Sequence, residues 1–300
     1  MPNPYLMLVV LGAIWATRLG ALKYAINAGL PAPVTIQVAV LGIAIGLTLV
    51  NALRGTWPPL RRDTVRFYLL SGLLGFICPF GLEAIVAARL PVFVLILIVT
   101  TAPVWTMLVA AAVGTERISA VRATGVVLGF AAAGLVAFDS SGGEGPGAVD
   151  PLWCLLAMAI PLFYAVYTVF VASRFPRRLD AVQVAQGQAI IVALAVLAAQ
   201  PFQDFWSRMA FSPVQVTAVG WVVAAEVVGL MMYLSLARDR GATFVTQANY
   251  VAICMGAVLG AFVFGDPIGW LSLLGAVLVA VALRLARAPV PAAVPTASSG

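Results

Sequence analysis

The chain repeats itself at an offset of 150 residues, and the match needs no gap over its best stretch. Each half carries five long apolar segments. Because five is odd, the second copy must enter the membrane from the side opposite to the first. This inverted arrangement is typical of secondary transporters, whose binding site lies at the repeat interface. The identical pairs include Gly125 and Gly275, Leu128 and Leu278, Ala132 and Ala282, Ala102 and Ala252, and Ile118 and Ile268.

Composition excludes a soluble domain, since 63% of the residues are hydrophobic, 9% are charged and the mean hydropathy is +1.06. Apolar runs of roughly 20 residues recur, and each can cross about 30 Å of hydrocarbon as a helix. The runs lack the alternation of a barrel strand, so we expect an all-α membrane protein of ten transmembrane helices in two five-helix inverted-topology repeats. Helices 1 to 10 are predicted over residues 4–24, 33–53, 66–86, 91–113, 120–138, 151–171, 181–199, 214–235, 242–264 and 269–286.

The same pattern sets the predicted domain boundaries. Residues 1–141 form the first repeat with helices 1 to 5, and residues 142–287 form the second with helices 6 to 10. The segment 288–300 is rich in Pro, Ala and Ser and is predicted to be a disordered tail.

Basic residues are distributed unequally between the two sides of the predicted bundle. Of 17 in total, 13 follow even-numbered helices or lie at the C-terminal end, and the other four are Arg18, Lys23, Arg89 and Arg208. The positive-inside rule therefore predicts that both termini are cytoplasmic. The loop 139–150, predicted to lie outside, has three acidic residues and no basic one.

Three segments carry a resemblance to a known family: LGAIWATRLGALKYAI at 11–26, APVWTMLVAAAVGTERIS at 102–119 and AICMGAVLGAFVFGDPIG at 252–269. They resemble the drug/metabolite transporter superfamily, in particular its ten-helix exporters built from two EamA-type repeats. The most similar members are bacterial inner-membrane exporters of aromatic and other amino acids. The resemblance implies export from the cytoplasm by alternating access, with helices 3, 4 and 6 facing helices 8, 9 and 1 around a central cavity.

Three charged residues lie well inside predicted helices, namely Arg18, Glu83 and Glu226. A charge at the bilayer centre costs roughly 2.5 to 3.5 kcal/mol on insertion scales, so such residues usually have a partner or a role. A rise of 1.5 Å per residue places Arg18 roughly 21 Å and Glu83 roughly 25 Å above the cytoplasmic end, and places Glu226 near the midplane. We therefore predict an ion pair between Arg18 and Glu83.

Two interpretations of these charges remain open. Arg18 and one glutamate can bind the carboxylate and the ammonium of a zwitterionic amino acid, or Arg18 and Glu83 can form a purely structural pair. Glu226 can face the cavity, or it can be a protonated carboxyl that bonds a neighbouring helix.

Aromatic and amide side chains inside the helices suggest an aromatic-lined cavity that binds apolar side chains or an ammonium group. Ordinary helix packing is the alternative explanation. The predicted substrate-binding residues are Trp15, Arg18, Phe76, Phe80, Glu83, Trp105, Phe163, Tyr164, Tyr167, Glu226, Gln247 and Tyr250.

Prolines and glycines mark the predicted bends and close contacts. Pro79, Pro103 and Pro161 each remove a helix hydrogen bond, and they are predicted hinges or, alternatively, static bends. The three GxxxG spacings favour close packing of helices within one subunit, so we expect a monomer. These spacings are Gly42 with Gly46, Gly125 with Gly129, and Gly256 with Gly260.

Several functions are excluded or disfavoured. The chain has no histidine, so it has no Ser-His or Cys-His nucleophile and no histidine metal site. It has no nucleotide-binding loop, and we predict no catalytic residue, metal, cofactor, nucleotide or nucleic acid. The expected function is export of amino acids or related metabolites. The alternatives are a broad drug or small-cation effluxer, an intramembrane enzyme and a pore. The enzyme is disfavoured because Glu83 and Glu226 are placed about half a bilayer apart.

Overall fold

The computed structural model describes residues 3–114, 120–141, 150–176, 178–198, 211–240, 248–266 and 268–286. Within these ranges the regular structure is helical and contains no strand. Every predicted helix has a counterpart. These are α1 (Pro4–Asn27), α2 (Ala32–Arg54), α3 (Arg62–Ala87), α4 (Val92–Ala112), α5 (Ala120–Ser141), α6 (Pro151–Ala157 with Ala159–Arg174), α7 (Ala181–Ala198), α8 (Pro213–Arg240), α9 (Ala248–Leu259 with Gly260–Phe264) and α10 (Trp270–Ala286).

Length and composition confirm the expected fold class. Helices α1 to α4 and α6 to α8 are long and apolar enough to cross a membrane, and shorter apolar helices occupy α5, α9 and α10. The chain is therefore an all-α, multi-pass membrane protein. The predicted tail 288–300 lies outside the described residues.

Some helix ends differ from the prediction. Helix α3 begins at Arg62, four residues before the predicted start, because the hydroxyl of Thr64 accepts the Arg61 N–H at 3.0 Å and so satisfies a free donor at the helix start. Helix α8 continues to Arg240, past the end of its apolar run. Hydropathy marks only the apolar part of a helix.

Each of the three prolines predicted as hinges lies just after a helix irregularity. A π-helical turn at Leu73–Ile77 precedes Pro79, and a break at residues 100–101 precedes Pro103. A break at Met158 precedes Pro161. The proline ring collides with the carbonyl four residues earlier and offers no N–H, which explains why the irregularities lie on that side.

The bundle packs around α1 and the first half of α4. Helix α1 lies against α8 and α9, and the second half of α4 lies against α6. Residues 92–98 at the start of α4 are all at most 3% exposed, as expected for a helix that is apolar on every face. Helix α5 pairs with α10, and α2 contacts α7 and α8.

Five of the six glycines in the three GxxxG spacings lie at helix contacts within the chain. A Cβ atom added at Gly42 would lie 2.6 Å from the Val223 side chain, and one at Gly46 would lie 3.0 Å from Val227. Gly129 similarly lies against Val104 and Ala282, and Gly256 and Gly260 lie against Ile96 and Phe93. These glycines serve packing within one subunit.

We expect Gly12→Ala to lower the stability of the bundle. The added methyl group would lie 2.5 Å from the backbone oxygen of Ala248 and 2.6 Å from Cβ of Val251, so α1 and α9 would have to separate. Overpacking of this kind costs about 1 to 3 kcal/mol. Gly220→Ala in α8 is the control, because no atom of another helix lies within 4 Å of its added methyl group. Thermal unfolding in detergent compares the two, and equal melting temperatures would contradict the packing of α1 on α9.

Candidate substrate-binding site

Arg18 of α1 and Glu83 of α3 form the predicted ion pair. Nη1 of Arg18 donates to Oε2 of Glu83 at 2.8 Å, and Nη2 donates to Oε1 at 3.1 Å. The Glu83 side chain is fully buried and that of Arg18 is 6% exposed. Tyr164 of α6 adds a third hydrogen bond to Glu83 at 2.9 Å, and the guanidinium carbon of Arg18 lies 4.8 Å from the Phe80 ring centroid. Three helices thus meet at one bidentate pair.

Glu226 of α8 forms a second ion pair with the same arginine. Its Oε2 atom lies 3.2 Å from Nε of Arg18, and its side chain is 19% exposed. Nε of Arg18 has no hydrogen-bond partner among the described residues, so the contact is electrostatic and poorly aligned. Glu226 is therefore held more loosely than Glu83 and is more accessible.

The predicted separation of about half a bilayer between Glu83 and Glu226 does not hold for their carboxylates, because both contact Arg18. The midplane position of Glu226 stays a prediction. Counted from the helix ends on one side of the bundle, Glu83 lies four residues from Ala87, Arg18 nine from Asn27, and Glu226 thirteen from Pro213. At 1.5 Å per residue these depths are about 6, 14 and 20 Å. The arginine has the intermediate depth, and its long side chain reaches both carboxylates. Separation of the two glutamates therefore does not exclude an intramembrane enzyme.

Several predicted aromatic residues lie near this cluster. The Trp15 ring in α1 lies 6.0 Å from the Tyr233 ring of α8, next to the close approach of Gly229. Tyr167 donates a hydrogen bond to Oε1 of Gln188 at 3.4 Å and lies near Glu226 and Tyr233. Tyr167 thus lies between Gln188 and Glu226, and Trp15 packs against Tyr233.

Other predicted residues lie elsewhere. The Trp105 ring lies edge-on against the Phe130 ring of α5, with 4.9 Å between their centroids. Phe76 is buried in an apolar cluster of residues from α1, α2, α3, α7 and α8 that also contains Phe80, and Phe163 is half-buried on α6. Gln247 lies outside the described residues, as does the side chain of Tyr250.

The prediction missed Tyr233 and Gln188. Residues 226, 229 and 233 recur at helical spacing, so the sequence places Tyr233 on the Glu226 face of α8. Gln188 is an amide inside an apolar helix, which is also a visible signal. Its Nε2 atom donates to the Ser71 hydroxyl at 2.8 Å, so it links Tyr167 to α3.

Comparisons with known proteins agree with this architecture. The family model for EamA-like transporters matches twice, over residues 3–138 and 151–287, once for each repeat. The crystal structure of another protein has the same fold, with a TM-score of 0.60 and 17% identity, and the match covers 93% of this chain and 96% of that chain. No curated protein matches the sequence. Because the family model covers nearly the whole chain, the protein belongs to the EamA-like transporter family.

Proposed function

We propose that the protein exports small metabolites that carry an ammonium group, foremost aromatic and other apolar amino acids, by alternating access. Members of its family are membrane transporters of small solutes and not enzymes. The observation that carries the proposal is the position of Arg18 between two carboxylates on different helices, at a site to which both repeats contribute. The two repeats are taken as residues 1–141 and 142–287.

The geometry suggests how Arg18 couples the site to a conformational change. Helices α3, α4 and α6 form one proposed moving group, and α1, α8 and α9 form the other. The Arg18–Glu83 pair joins the two groups, whereas the Arg18–Glu226 pair lies within one of them. A ligand or proton that changes the strength of the Arg18–Glu226 contact therefore changes how strongly Arg18 holds the two groups together through Glu83. A ligand can shift a conformational equilibrium in this way only through such a difference in contacts.

The charge count of the site indicates what binds there. One arginine faces two glutamates, so a site with both carboxylates ionised has one unpaired negative charge. Burial makes such a charge costly. A proton on Glu226 or the ammonium group of a substrate neutralises it, and the rings of Trp15, Tyr167 and Tyr233 suit an ammonium by cation–π attraction. Proton and substrate would then compete for one carboxylate, which produces exchange.

The same count favours a second candidate, an effluxer of organic monocations. Both terminal nitrogens of Arg18 already bond Glu83, so a substrate carboxylate has to compete for them. A cation without a carboxylate avoids that competition. The predicted hinge role of Pro79, Pro103 and Pro161 serves either candidate.

A proteoliposome screen tests both candidates. Purified protein is reconstituted, and uptake of the amino acids and of simple organic amines is measured with and without a pH gradient. Gradient-stimulated uptake of aromatic or apolar amino acids supports the first proposal, and uptake of amines alone supports the second. Protein-free liposomes are the control. Transport of neither class would contradict the proposal that the site binds an ammonium group.

We further propose a bacterial inner-membrane location with both termini in the cytoplasm. Reporter fusions or cysteine labelling should place the loops around Arg61 and Arg177 inside and the loop around Gly143 outside. A cytoplasmic Gly143 loop would contradict the orientation derived from the basic residues.

A monomer is the proposed functional unit. Glycine spacings of this kind commonly mediate contacts between subunits, but here five of the six glycines pack against other helices of the same chain.

A further inference from the structure

A second charged cluster lies at the end of the bundle that we propose faces outward. Lys23 of α1 and Asp266, just after α9, form an ion pair with 3.3 Å between Nζ and Oδ1. Their side chains are 11% and 10% exposed. Nζ of Lys23 also lies 5.2 Å from the Phe264 ring centroid. Burial of both charges costs desolvation energy, and further hydrogen bonds are needed to offset it. The partners of those hydrogen bonds therefore indicate the role of the pair.

Both charges bond the backbone of the turn between α3 and α4. Nζ of Lys23 donates to the carbonyl oxygen of Leu90 at 3.0 Å, and Oδ2 of Asp266 accepts the Val92 N–H at 2.6 Å. The two bonds lie on either side of Pro91. The turn is therefore held by a donor and an acceptor of opposite charge, and we refer to Lys23 and Asp266 together as the outer clamp.

The end of α9 is shaped to present Asp266. A π-helical turn at Gly260–Phe264 is followed by Gly265 in the left-handed conformation, with φ of +63°. The Asp266 N–H then returns to the carbonyl of Gly260 at 2.8 Å. π-Helical turns occur frequently at functional sites. A Cβ atom at Gly260 would lie 3.1 Å from Cβ of Phe93, so this turn also lies directly on the start of α4.

We propose that the outer clamp is the gate that closes the outward end of the transport path. Lys23 and Asp266 belong to the α1–α8–α9 group, whereas Leu90 and Val92 belong to the group of α3, α4 and α6. Their bonds must break when the two groups separate at that end, an inference that rests on the proposed alternating access. Lys23 lies five residues beyond Arg18 on α1, so movement of Arg18 is transmitted to the gate along one helix.

Thiol labelling tests the gate without any substrate. Leu19 is 3% exposed and lies one helical turn below Lys23 on the same face of α1. A cysteine at Leu19, with Cys78, Cys154 and Cys254 replaced by alanine, reports on opening of that end in purified protein in detergent. We expect Asp266→Asn and Lys23→Met each to increase the labelling rate about tenfold. Each change removes a hydrogen bond to a charged group, and losing such a bond shifts the equilibrium between the closed and open forms at least tenfold toward the open form.

Asp180→Asn is the matched control. It removes the exposed Arg54–Asp180 pair, which is 3.0 Å long and lies at the opposite end of the bundle. Labelling at Leu19 should stay unchanged in this variant. Equal labelling rates in the parent, the clamp variants and the control would overturn the proposal. Thermal unfolding of each variant separates gate opening from general loosening, and labelling that rises only in proportion to lost stability would also overturn it.

A disulfide across the gate tests the movement directly. The Cβ separation of 3.1 Å between Phe93 and a built Gly260 Cβ is near the usual range of about 3.5 to 4.5 Å, so the pair Phe93→Cys and Gly260→Cys should cross-link on oxidation. Oxidation is expected to stop transport, and a reductant is expected to restore it. The control pair is Gly129→Cys with Ala282→Cys, 3.7 Å apart between α5 and α10, and its oxidation should leave transport intact.

The two experiments separate failure of the gate from failure of the proposed function. If the oxidised Phe93–Gly260 pair transports as fast as the reduced pair, the clamp is not a gate. If the parent protein transports no solute, the proposed function fails. In that case the labelling result still decides whether the clamp closes the outward end.

Discussion

Replacing Arg18 with methionine is expected to destabilise the protein by about 3 to 5 kcal/mol. The change removes the partner of a fully buried carboxylate and of a second, partly buried one, and a broken buried ion pair costs that much. Methionine retains most of the apolar stem, so the loss reports on charge. Two glutamates then face each other without a cation, and at least one must bind a proton. Thermal unfolding in detergent and yield of the purified protein measure the effect.

Neutral replacements separate the structural role of Arg18 from its role in binding. Arg18→Met combined with Glu83→Gln and Glu226→Gln removes every charge of the cluster, and the lost stability should return. A substrate-binding cluster predicts a stable triple variant that transports nothing in proteoliposomes. Recovery of both stability and transport would show that the pair is purely structural. An Arg18→Met single variant as stable and active as the parent would show that the observed contacts contribute neither to stability nor to transport.

Glu226→Gln is expected to abolish transport driven by a pH gradient while the fold persists. For exchange of one proton per substrate, each pH unit supports about tenfold accumulation. The amide binds no proton in this range, so accumulation should fall to the level without a gradient. Stability should change little, since Glu226 has one poorly aligned ionic contact and is 19% exposed. Radiolabelled uptake across imposed pH gradients measures the accumulation.

Glu83→Gln is the matched comparison. It removes a fully buried carboxylate that accepts three hydrogen bonds, two from Arg18 and one from Tyr164. Its main effect should therefore be a lower melting temperature, with the remaining transport still dependent on the pH gradient. If Glu83→Gln removes that dependence and Glu226→Gln retains it, the two carboxylates have been assigned the wrong way round.

Much of the fold was predictable because the signal is strong. A membrane helix needs only a long apolar run, and the repeat constrains the number of helices. The Arg18–Glu83 pair was predictable for the same reason, because a buried charge inside a helix demands a partner and both residues lie in the same half of the bundle. Helix ends were less predictable, as α3 shows, because a single Thr64 hydroxyl decides where that helix begins.

The missed features depend on side-chain reach and on packing partners, which a single sequence does not specify. Depth calculated from apolar runs ignores the reach of a side chain, so Glu226 was separated from an arginine that contacts it. The sequence does not distinguish an aromatic residue that lies near Glu226, as Tyr167 does, from one that packs against another aromatic ring, as Trp105 does against Phe130. Lys23 and Asp266 lie at helix ends, where charges are ordinary, and only their shared contact with one turn distinguishes them.

The charged cluster also limits how the chain can be divided. Arg18 and Glu83 come from the first half, and Tyr164 and Glu226 come from the second. At the repeat offset, Arg18 and Glu83 correspond to Thr168 and Tyr233, whereas Tyr164 and Glu226 correspond to Ile14 and Phe76. A dimer made of two copies of either half would therefore lack this cluster, in which one arginine lies between a glutamate from each half. The two halves have thus diverged into complementary parts, and only their co-expression can rebuild the site from fragments.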